Sequence, residues 1–206
     1  LNAINHLLKQ YIKGNHLFYE ILNILLNSGA PINSPITYNP QSNKQMKIRE
    51  EDNISLLLFA IMNNDIEFVD ILLKYNPNLN LEDKNKKNAI IYCILYNNDS
   101  IDILQKIFNH NNKNYTFYYE IRNNYYELHS VFTLACLNNL PHTVKFLLDN
   151  YVDVTFKTKP NGNTGLHIVA KNGSEELLNL LLSYNNTILP EITNKEGKRA
   201  IDLVED

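Results

Sequence analysis

The chain has 206 residues, is 44% hydrophobic and carries a net charge of −3. That is enough apolar material for a real core, in one compact domain or one short solenoid, and the charge gives no electrostatic footprint for nucleic acid. An apolar run such as Leu56 to Met62 is far too short to span a bilayer, and two cysteines are too few for a disulfide framework.

Leu1 to Asn33 reads as a helix pair with a degenerate opening: a first helix within Ala3 to Lys13, then a second carrying Ile21, Leu22, Ile24, Leu25 and Leu26. Ser34 to Glu50 holds Pro35, Pro40 and a basic patch of Lys44, Lys47 and Arg49 with no visible period, which predicts a long mobile loop. Asp52 to Asn80 is a clean pair. Ser55 caps the first helix, Leu57, Ala60 and Ile61 face inward, and Phe68, Val69, Ile71, Leu72 and Leu73 form the second. Leu81 to Lys87 is a hairpin with three lysines at its tip. Ala89, Ile90, Cys93 and Ile94, then Ile103, Leu104, Ile107 and Phe108, make a third pair whose turn is lengthened by Asn97 to Ser100.

His110 to Leu128 is a second insertion, with Tyr115, Phe117, Tyr118, Tyr119, Tyr125 and Tyr126. Aromatics suit interfaces because each offers apolar area with a polar tip; packing of half of them under an elongated hairpin, in strand-like alternation, is the plainer reading. A fourth pair follows, with Ser130, Phe132, Leu134, Ala135 and Cys136, then Pro141 in the first turn of a helix bearing Val144, Phe146, Leu147 and Leu148. Asn161 to Leu182 is the clearest unit. Thr164 caps a helix with Leu166, Val169 and Ala170 on one face, Gly173 stops it in the left-handed conformation, and Ser174 caps a leucine-rich second helix. Gly197 to Leu203 opens a further copy. The sequence begins at Leu1 rather than methionine and ends at the start of that copy, so it reads as an excerpt of a longer protein.

The chain repeats itself. Second-helix apolar pairs fall at Leu25-Leu26, Leu72-Leu73, Ile107-Phe108, Leu147-Leu148 and Leu181-Leu182, successive pairs lying 47, 35, 40 and 34 residues apart. Two short helices cannot bury both faces alone, so neighbouring copies must stack. Asparagine is abundant, at 34 residues, which fits an A/T-biased genome. Asn64, Asn76 and Asn139 stand where a turn needs the left-handed conformation, which asparagine tolerates.

The stretch Thr164, Leu166, His167 and Ala170, with Gly173 at the turn and Leu180-Leu181-Leu182 beyond it, resembles the ankyrin repeat, whose helix-opening signature is T-P-L-H-x-A-A and whose period is about 33 residues. Gly165 replaces the usual proline and Val169 an alanine. Gly29-Ala30-Pro31-Ile32-Asn33 is close to the family's G-A-x-x-N ending, and Asp83 matches its hairpin aspartate. The resemblance covers nearly the whole chain. It implies an all-α solenoid of helix-turn-helix units with short hairpin loops, a single array at 1–206 with repeats near 1–33, 51–82, 83–112, 126–156 and 160–192, a partial one at 194–206, and insertions at 34–50 and 110–128.

The implied function is recognition of a partner protein on the concave surface that stacked repeats create, with no cofactor, metal, nucleic acid or membrane insertion, and a monomeric, intracellular, cytoplasmic chain. Contacts in the family come from hairpin tips and exposed first-helix positions. Here those are Met62, Asn63, Lys84, Lys87, Leu95, Tyr96, Tyr125, Tyr126, Glu127, Leu137, Asn138, Asn161, Asn163, Lys171 and Asn172, with Met62, Leu95, Tyr96 and Leu137 as an apolar strip across successive repeats. His167 is expected to tie neighbouring loops together by hydrogen bonds. An alternative makes the array the targeting arm of a larger enzyme or effector; a third reading makes it purely structural.

Signs of enzymatic chemistry are absent from the motifs. Gly197-Lys198-Arg199 lacks the upstream glycine of a phosphate loop, the six histidines show no zinc-ligand spacing with the cysteines, and there is no nucleophile elbow. Cys93 and Cys136 occupy small-residue positions of first helices and read as buried, reduced thiols, which fits an intracellular compartment.

Overall fold

The structure, a computed structural model, describes residues 3–37, 48–110, 121–122, 128–184 and 188–204. The chain divides into two compact units, one of Leu1–Asn97 with Asp102–Lys113, the other of Asn98–Ile101 with Asn114–Asp206. Unit 1 holds three helix pairs: α1 (Ala3–Leu8) and α2 (His16–Asn27), α3 (Leu56–Met62) and α4 (Ile66–Leu73), α5 (Ala89–Tyr96) and α6 (Asp102–His110). Unit 2 holds α7 (Val131–Leu137) and α8 (Pro141–Asp149), α9 (Gly165–Asn172) and α10 (Glu175–Ser183), then a 3-10 turn at Ala200–Leu203. Two short strands, β1 (Ile121–Arg122) and β2 (Leu128–His129), pair antiparallel in the same unit, with Ile121 opposite His129. The aromatic residues of the second insertion, and Lys44 and Lys47 of the first, lie outside the described residues, while Arg49 is exposed and pairs with Glu51 at 2.9 Å. The ends of the first insertion are packed: Ile36 and Ile48 are buried, and Ile36 N–H bonds Ile54 O at 2.8 Å.

Four first helices are buried on every side. Residues 56–61 of α3, 89–94 of α5, 131–136 of α7 and 165–170 of α9 are all buried. A helix apolar all round belongs inside. Each therefore needs its first orphan N–H groups satisfied from within the protein. Ser55 accepts from Leu58 N–H, Asn88 from Ile91 N–H, and Ser130 from Thr133 N–H. These caps are themselves buried, as is Thr164 ahead of α9. Around them the second helices bury one face only, α4 packing on α2 and α6 in unit 1, α8 on α10 in unit 2.

The turns between paired helices run through left-handed residues. Asn64 and Asn139 have φ of 48° and 54° and Gly173 has 66°, while Asn76, just after α4, has 49°; the three asparagines turn as the sequence predicts. The turns are also tied to the neighbouring pair. In unit 1, Asp65 caps α4 through one oxygen, to Phe68 N–H at 3.0 Å, and takes the hydroxyls of Tyr11 and Tyr19 on the other at 2.7 Å each. Burial, then the Asp65 contact, pushes the Tyr19 phenol up to about 12. In unit 2, α8 follows Leu140, which has no capping side chain. Its cap comes from Asp99, whose carboxylate accepts the N–H of His142 at 2.9 Å and of Thr143 at 2.8 Å. Partial burial raises the Asp99 carboxyl, but the Thr143 and His142 donors outweigh it and hold the group below the ordinary aspartate range. Ser174 stands at the N-cap of α10 as predicted but does not cap it: its hydroxyl donates to Asn139 Oδ1 at 2.6 Å instead.

Tyrosines at the ends of second helices repeat one device. Tyr75 donates toward Asn23 and Asn27 of α2, and Tyr184 donates to Asp149 of α8. The Lys145 ammonium, 2.6 Å away, and then that hydroxyl hold the Asp149 carboxyl low.

Gly165 has a steric cause that the sequence hid. A Cβ there would lie 2.5 Å from Phe132 Cε1 and 3.1 Å from Cys136 Sγ, so the bulky Phe132 of α7 occupies the space that proline would need. Gly165→Ala should destabilise by about 1–3 kcal/mol through overpacking, despite the better helix propensity of alanine, and a second change, Phe132→Leu, should recover part of the loss; urea unfolding of the single and double variants measures both. For Asp99 the folded carboxyl is depressed, so its contribution is complete above the unfolded value of ~3.9 and is lost as pH falls through the lower folded value. Asp99→Asn should cost about 1 kcal/mol at neutral pH, and the gap to the native chain should close in acid; thermal unfolding across a pH series would show it, and a gap independent of pH would count against the charged cap.

Candidate partner-binding surface

Each hairpin tip is built by one polar side chain folding the backbone over itself. In unit 1 that residue is Asp83, which is buried. Its Oδ1 accepts the N–H of Asn85 and Lys87 at 2.8 Å each, and its Oδ2 takes the Tyr92 hydroxyl at 3.0 Å. Burial, reinforced by Asp83, pushes the Tyr92 phenol well above its usual range. Lys86 makes the tight turn at φ 64°. The same arrangement recurs in unit 2 with Asn194, whose Oδ1 accepts from Glu196 N–H at 2.9 Å and Lys198 N–H at 3.1 Å, Gly197 turning at φ 76°. The intervening tip uses Thr158, whose hydroxyl accepts from Asn163 N–H at 3.1 Å.

Tips are tied to their neighbours through the backbone. Lys84 N–H reaches Asp52 O, and Lys195 N–H reaches Asn161 O, each at 3.0 Å. Asn194 Nδ2 donates to Asn163 Oδ1 at 2.9 Å. His167 supplies the last tie. Its Nε2 lies 3.0 Å from Lys198 O while its Nδ1 faces Thr164 Oγ1 at 2.8 Å and Thr164 N–H at 3.3 Å. A carbonyl can only accept and a backbone N–H can only donate, so Nε2 donates to Lys198 O and Nδ1 accepts from Thr164, and both ring nitrogens hold the α9 opening to the next tip. The histidine expected to link loops does so.

The predicted contact residues fall into two sets. In unit 1, Met62, Asn63, Leu95 and Lys87 are half-buried and Tyr96 is 39% exposed, its ring 5.0 Å from that of Tyr92. Asn63 donates its amide to Phe59 O at 2.8 Å, and Lys84 is committed to an ion pair with Asp52. The Arg49 N–H, and then Lys84, hold that carboxyl low. In unit 2, Leu137 is 36% exposed, Asn138 bonds Leu134 O at 2.8 Å, and Asn161, Lys171 and Asn172 are exposed. Tyr125, Tyr126 and Glu127 lie outside the described residues.

Three of the predicted residues come together. Asn161, Asn163 and Lys171 line a cleft of about 340 Å³ in unit 2, with Asn194, Glu196, Lys198, Asp202, Leu203 and Val204 as its other walls. Asn194 and Lys198 escaped the sequence reading, yet the signal was present: they hold the tip positions that Asp83 and Lys87 hold in unit 1. Among the described residues no group of three or more His, Cys, Asp or Glu side chains is placed to hold a metal. Cys93 and Cys136 are buried and free, and burial pushes both thiols well above their ordinary range, so neither is poised as a thiolate.

No helix among the described residues is long and apolar enough to cross a membrane. No curated protein matches the chain. A chain of the solved structure described as the Bd0816 predatory endopeptidase from Bdellovibrio bacteriovorus in complex with immunity protein Bd3460 has a similar fold, with a TM-score of 0.69 at 19% identity, over 98% of this chain and 90% of that one. The family model described as ankyrin repeats, in three copies, matches residues 8–116 and 132–203. A match of that extent, on helix pairs joined cap to turn and tip to tip, means that the chain belongs to the ankyrin-repeat family.

Proposed function

We propose that this chain binds a partner protein through its hairpin tips and the exposed ends of its first helices, each unit presenting its own set. Ankyrin repeats are protein-interaction modules, and the observation that carries the reading here is the cleft of unit 2, where tip and first-helix residues converge on one concavity. Its walls offer amides and charges for orientation, with Leu203 and Val204 as apolar contact. Unit 1 offers a different face, in which Met62, Leu95 and Tyr96 are partly uncovered apolar groups at the last turn of buried helices. The similar fold noted above comes from a complex between two proteins, a use of the kind proposed here. In this reading the chain acts as an intracellular monomer with both thiols reduced.

Leu95→Ser and Leu137→Ser test the exposed first-helix ends of the two units separately. Each should leave the unfolding midpoint nearly unchanged, yet at least one should lose the partner that the native chain captures from a lysate of the source organism, with affinity lowered by about tenfold or more, the size expected for a truncated anchor. Capture undiminished in both variants would exclude these first-helix ends as the binding surface.

A further inference from the structure

The tips of unit 2 carry more lysine than carboxylate. Lys157 stands beside one tip that has no acidic residue in 157–163, and Lys195 and Lys198 face only Glu196 in the next. The two tips adjoin through the Lys195–Asn161 and Asn194–Asn163 bonds, and a Cβ on Gly162 would lie 2.9 Å from Lys195 Cγ. Lys198 pairs with Glu196 at 3.2 Å. Lys157 donates to Thr193 O at 2.7 Å, a carbonyl that leaves its charge uncancelled. Lys157, Lys171 and Lys195 make no ion pair with any described residue. Three carboxylates of the same unit have cations of their own: Asp149 pairs with Lys145, and Asp202 and Glu191 pair with Arg199. A chain of net charge −3 thus keeps a cationic edge beside its cleft.

The cleft is also rich in donors. Asn163 gives its Oδ1 to Asn194, which leaves its amide nitrogen as a donor, and Lys171 and Lys198 bring ammonium groups to the same walls. Donors beside surplus positive charge select an anion. We infer that the partner segment received by unit 2 is acidic, with an Asp or Glu carboxylate seated at Lys171 and Lys198 in the cleft and further carboxylates along the tip lysines. This rests on the protein-interaction reading and gives it a chemistry. A peptide fits better than a nucleic acid or an anionic bilayer. It can place one or two carboxylates at chosen points, whereas a continuous line of phosphates must also pass Glu196 and Asp202, which line the same cleft.

The test uses the full chain, isotope-labelled, titrated with acetylated octaglutamate and followed by amide chemical shifts. Octaglutamine, an eight-nucleotide oligothymidylate and phosphatidylserine vesicles are the comparison probes. Octaglutamate should move the amides of Asn163, Lys171, Lys195 and Lys198, and octaglutamine should not. The affinity should fall about tenfold in K171E/K195E, and also between about 50 and about 300 mM salt, as screening shortens the reach of exposed charge. It should be unchanged in K9E/K74E, which alters net charge equally at exposed sites of unit 1. The inference is overturned if octaglutamate leaves those amides unmoved, if octaglutamine moves them equally, or if the oligothymidylate or the vesicles bind there more tightly. A partner captured equally well by K171E/K195E at the higher salt would also sink it, while leaving the protein-interaction reading in place.

Discussion

The constraint on which the structure depends is the burial of its first helices. In α3, α5, α7 and α9 six consecutive side chains leave solvent, and the backbone goes with them. An unsatisfied N–H in such a place costs about 1–3 kcal/mol, so each opening must carry a residue that accepts a hydrogen bond while itself being buried. Ser55, Asn88 and Ser130 meet that demand, and ahead of α9 the buried Thr164 is bonded to His167 Nδ1. The identity of the cap varies from copy to copy; its chemistry does not.

The same burial decides what remains for recognition. A helix covered on all sides can show only its last turn, which is why Met62, Leu95 with Tyr96, Leu137, and Lys171 with Asn172 are the first-helix residues that reach the surface. The tips project beyond them and are stiffened by internal acceptors at Asp83, Thr158 and Asn194. A surface whose backbone is already tied down loses little freedom on binding, which favours affinity. His167 is the joint between the two features, since it spans from the α9 opening to the tip carbonyl of Lys198.

Most of the helix pairs were legible because their signals are local. Apolar spacing, Asn or Gly at left-handed turns, and Ser or Asn at helix openings act within a few residues; the φ values and the caps at Ser55, Asn88 and Ser130 agree with them, and Ser174 does not. The cleft was legible in part. Asn161, Asn163 and Lys171 follow from the family pattern, but Asn194 and Lys198 join them only because a hairpin more than thirty residues further on is bonded back to the preceding tip. In the sequence Asp99 only lengthens a turn, whereas in the fold it caps α8, a helix that starts more than forty residues later.

The sequence by itself determined the repeating unit, its period and the places where the chain must turn, because these depend on neighbours within one or two helical turns. Only the tertiary structure decided which polar groups serve another copy: Asp99 for α8, Asn139 for Ser174, Tyr184 for Asp149. It also turned the apparent loss of proline at Gly165 into a packing requirement set by Phe132. Such assignments depend on distances between residues far apart in the chain, and a cap, a clasp or a clash acquires its partner only when the copies stack.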